Sequence, residues 1–343
     1  MHGTSIQPWI ELLRDDGAAR ELGPQPGWCG VATLFGSRGG TIEELSAGDY
    51  AGMGVPFDST ASSRPGAAEG PDAVRRASRV FASYLNSLGE HEMFDTRTGE
   101  AFRYREPRLV DTGDVAVFPA DIRRTFQSLA LGARDVAAKG ATQVAIGGDH
   151  SVSFPLFAGF QEAARRRGQE DRVGYIQVDH HFDFGDSSAI FGPVYHGSNS
   201  RRISELPGMA PDRIAFVGAG TVTKRAQFDY LRETGYHVVP ATTLKNDADA
   251  LKRLVDNFRR NCSQVYLSLD IDVLDCATAP GTGNVTCGGM DAAGLIDALR
   301  VLAELPLGAI DVVEVAPRYD PTGRTPALAA QALVELIYRC PCA

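Results

Sequence analysis

Residues Val173 to Asp183 read VGYIQVDHHFD. The first six are uncharged and mostly apolar, which suits a strand buried on both faces. The last five change character. Continued as extended chain, Asp179, His181 and Asp183 share one face while His180 and Phe182 point to the other. Three ligand-type side chains at i, i+2 and i+4 form a metal-binding comb at a strand exit. The runs Gln143 to Ile146, Ile214 to Val217, Val265 to Leu269 and Ile310 to Val315 are likewise short, apolar and bounded by Gly, Pro or Asp. Helical patterns lie between these runs. Asp121 is placed to cap a helix carrying Ile122, Phe126, Leu129, Ala133 and Val136, which Gly140 ends. Phe154 to Arg167, Ala248 to Arg260, Ala292 to Leu305 and Pro326 to Arg339 are further candidates. This alternation, with no linker or repeat, predicts a single three-layer α/β domain: a mainly parallel, doubly wound sheet with helices on both faces. Residues 1–48, with the Gly- and Pro-rich stretches GPQPGWCG and GSRGG, read as an N-terminal arm ahead of a body spanning 49–343.

In such sheets ligands bind beyond the carboxyl ends of the strands. The run ending at Ile146 continues into Gly147-Gly148-Asp149-His150-Ser151, where two glycines permit a sharp turn. The run ending at Leu269 continues into Asp270-Ile271-Asp272-Val273-Leu274-Asp275. In extended chain Asp270 and Asp272 share a face about 6–7 Å apart. Burying both carboxylates is costly unless a cation neutralises them. Together His150, Asp179, His181, Asp183, Asp270 and Asp272 exceed the needs of one tetrahedral zinc. They suit two octahedral or five-coordinate ions that share carboxylates. His150, His180, His181 and His196 are four of the chain's seven histidines. His2, His91 and His237 are expected as surface or packing residues.

Composition narrows the function. The 343 residues are 43% hydrophobic and 22% charged, enough to bury a core. A net charge of −9 argues against nucleic acid as the partner. No apolar run reaches about 18 residues, and Asp and Arg interrupt the first residues too early for a signal sequence, so a cytoplasmic protein without a membrane partner is expected. Cys29, Cys262, Cys276, Cys287, Cys340 and Cys342 are then expected as reduced thiols, with Cys340-Pro-Cys342 a plain tail.

Several short motifs occur in order along the chain: Gly54-Val55-Pro56-Phe57-Asp58, Arg64-Pro65-Gly66, Gly70-Pro71, the Gly-Gly-Asp-His-Ser run, the Asp-x-His-x-Asp comb, Tyr195-His196-Gly197, Ser268-Leu269-Asp270-Ile271-Asp272, Ala279-Pro280-Gly281-Thr282-Gly283 and Glu314-Val315-Ala316-Pro317. From about Gly52 to Leu336 this pattern resembles the ureohydrolases, the family of arginases, agmatinases and guanidinobutyrases. The resemblance implies an arginase-like fold and two divalent ions, Mn²⁺ by family habit with Ni²⁺ as the alternative. It implies that His150 and Asp183 hold one ion and His181 and Asp272 the other, with Asp179 and Asp270 bridging. A hydroxide between the ions would attack a guanidino carbon, releasing urea and an amine. Glu314 matches the guanidinium-binding carboxylate, His196 the proton-shuttle histidine, and Asp183 is placed to relay a proton to the leaving amine. The partner is thus a small guanidino compound. A trimer or hexamer of like chains is also implied, with a heteromer of related chains as the alternative.

This sequence departs from the family pattern in places. His180 and Phe182 stand where the family has smaller residues. Cys276 replaces a proline, leaving its loop less constrained. Gly185 to Val194 lack the Asn and Ser run with which arginases grip an amino acid, and Gly30 to Phe35 resemble the start of the agmatinase and guanidinobutyrase branch. Agmatine, guanidinobutyrate or a similar compound is therefore expected over arginine. A nickel-dependent guanidine or biguanide (metformin-type) hydrolase is the alternative. Arg201 and Arg202 would meet an acidic substrate tail or a subunit boundary. Two rivals remain: a single-zinc deacetylase, disfavoured by the six ligands and Glu314, and a noncatalytic subunit supporting an active partner.

Overall fold

Side chains in the apolar runs alternate between two separate cores, as a strand covered on both faces requires. Val265, Leu267 and Leu269 point into one core and Tyr266 into the other. Ile214 and Phe216 oppose Ala215 and Val217 in the same way. In this computed structural model, residues 7–13, 32–88, 92–169, 172–247 and 249–341 are described. Twelve strands occur among them: β1 (Arg38–Gly39), β2 (Tyr50–Gly54), β3 (Met93–Asp95), β4 (Glu100–Tyr104), β5 (Leu109–Asp114), β6 (Thr142–Ile146), β7 (Val173–Val178), β8 (Ile214–Val217), β9 (His237–Val239), β10 (Gln264–Asp270), β11 (Leu307–Val313) and β12 (Arg339–Pro341). Nine form one wholly parallel sheet in the order β1-β5-β2-β6-β11-β10-β7-β8-β9. The expected three-layer α/β domain is therefore present.

One helical layer contains Ile122–Ala138 and Ser153–Arg165, whose Phe126, Leu129, Phe154 and Phe157 are buried. The opposite layer contains Gly70–Leu88, Ala250–Asn261, Ala292–Leu302 and Arg324–Ile337. Asp121 caps its helix by accepting the Arg124 N–H, and Gly140 follows its end at φ 72°. The sheet runs further towards the N-terminus than the apolar runs indicate, because β1 pairs with β5. Leu34 is anchored beside it, its N–H donating to Asp111 Oδ2 at 2.7 Å. Asp111 in turn receives a two-pronged bond from buried Arg75 at 2.8 and 2.9 Å, and Arg75 also bonds Asp114.

A small antiparallel sheet, β12-β4-β3, lies apart from the main one. Its formation corrects the expectation of a plain C-terminal tail, since Cys340 pairs with Arg103 in register. Cys29, Cys342, His2, His91, Gly30, Val31 and Ala248 lie outside the described residues. None of the described helices is long and apolar enough to cross a membrane.

The four central neighbours, β6, β11, β10 and β7, end together. Their exits carry His150, Glu314, the Asp270 pair and the Asp179 comb, which is how segments far apart in sequence reach one place.

Candidate metal centre

Each ligand-bearing exit closes on an aspartate. Asp149 Oδ1 accepts the N–H of Ser151 at 3.0 Å, Asp179 Oδ1 that of His181 at 2.6 Å, and Asp270 Oδ1 that of Asp272 at 2.8 Å. A short carboxylate that bonds the backbone two residues on makes an Asx turn, which ends extended structure. The residues after β7 are accordingly bent, and Asp183 sits at φ 44°. Asp272 lies in a 3-10 turn, Ile271–Val273. The expected ligands converge, but through turns rather than the strand alternation inferred from sequence. The glycines before His150 also have a different reason. A Cβ on Gly148 would lie 1.6 Å from the Phe57 carbonyl oxygen, so close backbone packing excludes a side chain.

Two groups of metal-capable side chains result. In the first, His150 Nδ1 lies 3.2 Å from Asp179 Oδ2, 3.0 Å from Asp183 Oδ2 and 3.0 Å from Asp270 Oδ2. In the second, His181 Nδ1 lies 3.4 Å from Asp179 Oδ1 and 3.3 Å from Asp272 Oδ2. Asp179 offers one oxygen to each group. Ligands about 2.1 Å from a common ion and at right angles to each other are about 3.0 Å apart, close to the spacings around His150.

The hydrogen bonds support the same use of these atoms. Ser268 Oγ donates to Asp311 Oδ1 at 2.6 Å, so it accepts from His150 Nε2 at 2.9 Å. A proton on Nε2 leaves His150 Nδ1, buried and facing three carboxylates, as the atom available to a cation. Asp272 Oδ1 is also buried without a partner. Burial and the neighbouring Asp179 charge push the Asp270 carboxyl up to about 7, and burial with Asp270 and Asp179 raises Asp272 well above the usual range. With no cation present these carboxylates outweigh burial and raise both His150 and His181 well above the ordinary imidazole value, so the imidazoles take the positive charge that a divalent ion would supply.

A polar row within the sheet supports the groups. Gln177, Ser268 and Asp311 are register neighbours across β7, β10 and β11. Gln177 Nε2 donates to Asp179 Oδ2 at 2.7 Å, and the Tyr266 hydroxyl donates to Asp311 Oδ2 at 2.6 Å. Sequence reading missed this row. Its signal was present as single polar residues at interior positions of apolar runs.

Glu314 follows β11 at φ 62°, a conformation that costs about 1–3 kcal/mol for a residue with a side chain. Its Oε1 accepts the His150 N–H at 2.9 Å and faces His196 Nδ1 at 3.1 Å. Ser62 approaches the other side of the His196 ring, its N–H donating to Nε2 at 3.1 Å and its Oγ lying 2.6 Å away. Neutral His196 thus has a donor at Nε2 and protonated His196 an acceptor. Burial favours the neutral ring, but Glu314, Asp183 and Asp149 outweigh it and push His196 up to about 9. Ser62 and Asn284, whose amide nitrogen lies 3.4 Å from His181 Nε2, were not singled out from sequence.

Phe182 packs against Phe216 and Phe228 in the core. His180 stands edge-on to His181 at 5.2 Å. Arg201 and Arg202 face Asp186 and Glu205 within the same chain.

The sequence profile described as "Arginase family" matches residues 49–338. The chain belongs to the arginase family. It is 32% identical over 296 residues to mitochondrial agmatinase of Gallus gallus, covering 84% of this chain and 80% of that protein. It is 30% identical over 298 residues to guanidinobutyrase of Pseudomonas aeruginosa, covering 86% and 87%. Among solved structures, proclavaminate amidino hydrolase from Streptomyces clavuligerus superposes with a TM-score of 0.72 at 26% identity, covering 92% of this chain and 98% of that one. As an arginase-family member of the agmatinase and guanidinobutyrase type, the chain is a hydrolase acting on guanidino C–N bonds.

Proposed function

We propose that this chain uses two divalent ions to hydrolyse an ω-guanidino amine or acid, such as agmatine or guanidinobutyrate, to urea and an amine. The body spanning 49–343 is the catalytic unit in this reading, with 1–48 an arm joined to its sheet edge. The observation that carries it is the placement of Glu314 beside two ligand groups that share Asp179. Oε1 of Glu314 is engaged by His150 and His196, while Oε2 makes no hydrogen bond among the described residues. Gly283 walls that side: a Cβ there would lie 2.5 Å from the Arg64 carbonyl oxygen and 3.6 Å from Oε2, so the backbone packs closely beside the carboxylate. A free carboxylate oxygen in a confined site suits the N–H edge of a guanidinium.

His150, Asp179, Asp183 and Asp270 would hold one ion, and Asp179, His181 and Asp272 the other, with carboxylate-rich ligation favouring Mn²⁺. Ions bound there would supply a water acidified towards neutrality and positive charge opposite the tetrahedral adduct. Glu314 Oε2 orients the guanidinium plane. Asp183, whose Oδ2 faces His150 Nδ1, takes the proton of the attacking water on Oδ1 and delivers it to the departing nitrogen. His196 resupplies protons, and Ser62 offers a partner to either of its protonation states.

The test is urea release from agmatine, guanidinobutyrate, guanidinopropionate, guanidine, arginine and metformin, with protein loaded separately with Mn²⁺ and Ni²⁺. Selective turnover of a ω-guanidino amine or acid by the Mn²⁺ form is expected. Turnover of guanidine or metformin alone by the Ni²⁺ form would replace the substrate assignment. No urea from any compound by fully loaded protein would refute catalysis by this chain alone.

A further inference from the structure

The segment that follows the Asp272 ligand folds back on itself. Asp275 N–H donates to the Met290 carbonyl at 2.9 Å and Cys276 N–H to the Thr286 carbonyl at 2.8 Å. This backbone pairing within the loop sets Cys276 beside Cys287, the neighbour of Thr286, and their sulfurs are 3.7 Å apart. Both are free thiols, Cys276 partly exposed and Cys287 exposed, whereas Cys262 is buried. We propose that Cys276 and Cys287 are a reversible oxidation site, forming a disulfide across the base of this loop when the protein meets a hydroperoxide.

The pair is poorly suited to metal binding. Among the described residues no third His, Cys, Asp or Glu joins these two sulfurs in a ligand group. The nearby Asp275 carboxylate is taken up by the N–H groups of Ala277 and Gly288 at 2.8 and 2.7 Å. Disulfide chemistry needs only what is present: two sulfurs in contact, held by paired backbone and open to a small oxidant.

The reaction balances as follows. The Cys287 thiolate attacks one oxygen of the hydroperoxide, the O–O bond breaks, and a sulfenic acid forms as the alcohol or water departs. The Cys276 sulfur then attacks the sulfenic sulfur, the S–S bond forms, and water leaves. Two thiols lose two electrons and two protons, and the peroxide takes up both. Cys287 acts first because it is the more exposed of the two to a dissolved oxidant. A small dithiol reverses the reaction.

The bond would fasten a loop that touches the metal centre at two points. Thr286 Oγ1 reaches the carbonyls of Asp272 and Leu274 at 2.7 and 2.9 Å, and Asn284 reaches His181 at 3.4 Å. The test treats purified full-length protein with substoichiometric hydrogen peroxide, blocks remaining thiols with iodoacetamide, and maps peptides by mass spectrometry before and after dithiothreitol. The expected result is loss of alkylation at both positions and a peptide lighter by two hydrogens, restored by dithiothreitol and absent from Cys276→Ser. Hydrogen exchange over residues 277–286 should slow in the oxidised form. Undiminished alkylation, a crosslink joining either position to another cysteine, or accumulation of sulfinic acid at Cys287 in the wild type would overturn the proposal. Unchanged exchange would overturn the fastening of the loop. None of these readouts depends on turnover, so they stand apart from the hydrolase assignment.

Discussion

Glu314→Gln isolates substrate recognition from metal binding. The side chain must keep an acceptor at Oε1, because the His150 N–H donates there at 2.9 Å and His196 Nδ1 lies 3.1 Å away. The glutamine amide therefore turns its oxygen to that side and places its NH₂ where Oε2 stood. A guanidinium then meets a donor in place of an anionic acceptor. Hydrogen bonds to charged groups are worth about 1.5–3 kcal/mol, so losing the one at Oε2 costs about that much. That corresponds to a drop in kcat/KM of about 10- to 150-fold. Bound metal per chain should stay unchanged, because the two ligand groups are intact. Steady-state urea release and elemental analysis of the same preparation check both halves. A kcat/KM within about threefold of wild type, or loss of metal with the activity, would refute the role given to Oε2.

Three further outcomes follow from other features. Ser268→Ala removes the acceptor that keeps the proton on His150 Nε2, and metal affinity should fall about 10–100-fold by chelator competition while the circular dichroism stays native. Arg75→Met leaves Asp111 and Asp114 buried without their cation, which should cost about 3–5 kcal/mol in urea unfolding with an unchanged m value. Because the native environment raises His196 to about 9 from an ordinary value near 6.5, its protonated form favours the folded state. In chelator-treated protein that contribution is full below about pH 6.5 and lost as pH rises through about 9, so wild type should lose more stability over this window than His196→Gln. Parallel pH profiles would contradict the pairing with Glu314.

The converging Asp and His side chains were legible because metal chemistry uses few residue types, and these stand out at the ends of apolar runs. The backbone that aims them was not. Alternation placed Asp179, His181 and Asp183 on one face of a strand, yet that strand ends at Val178 and Asp183 takes a left-handed conformation. Side-chain to backbone bonds two residues apart carry no hydrophobic period, so periodicity overlooks them. The strands β1, β3 and β12 escaped for a related reason, being two or three residues long. Asp311 could have been found: a lone carboxylate between Ile310 and Val312 needs a buried partner, and Tyr266 and Ser268 alternate onto the same face of the adjoining strand.

The Asx turns at Asp149, Asp179 and Asp270 make the centre modular. Each closure spans only two residues, so the aim of Asp179 and of Asp270 is set at its own strand exit. The segment between Asp183 and His196 can then change in length or composition while Asp179 keeps its aim, whereas the one between Asp272 and Met290 is tied back to the site through Asn284 and Thr286.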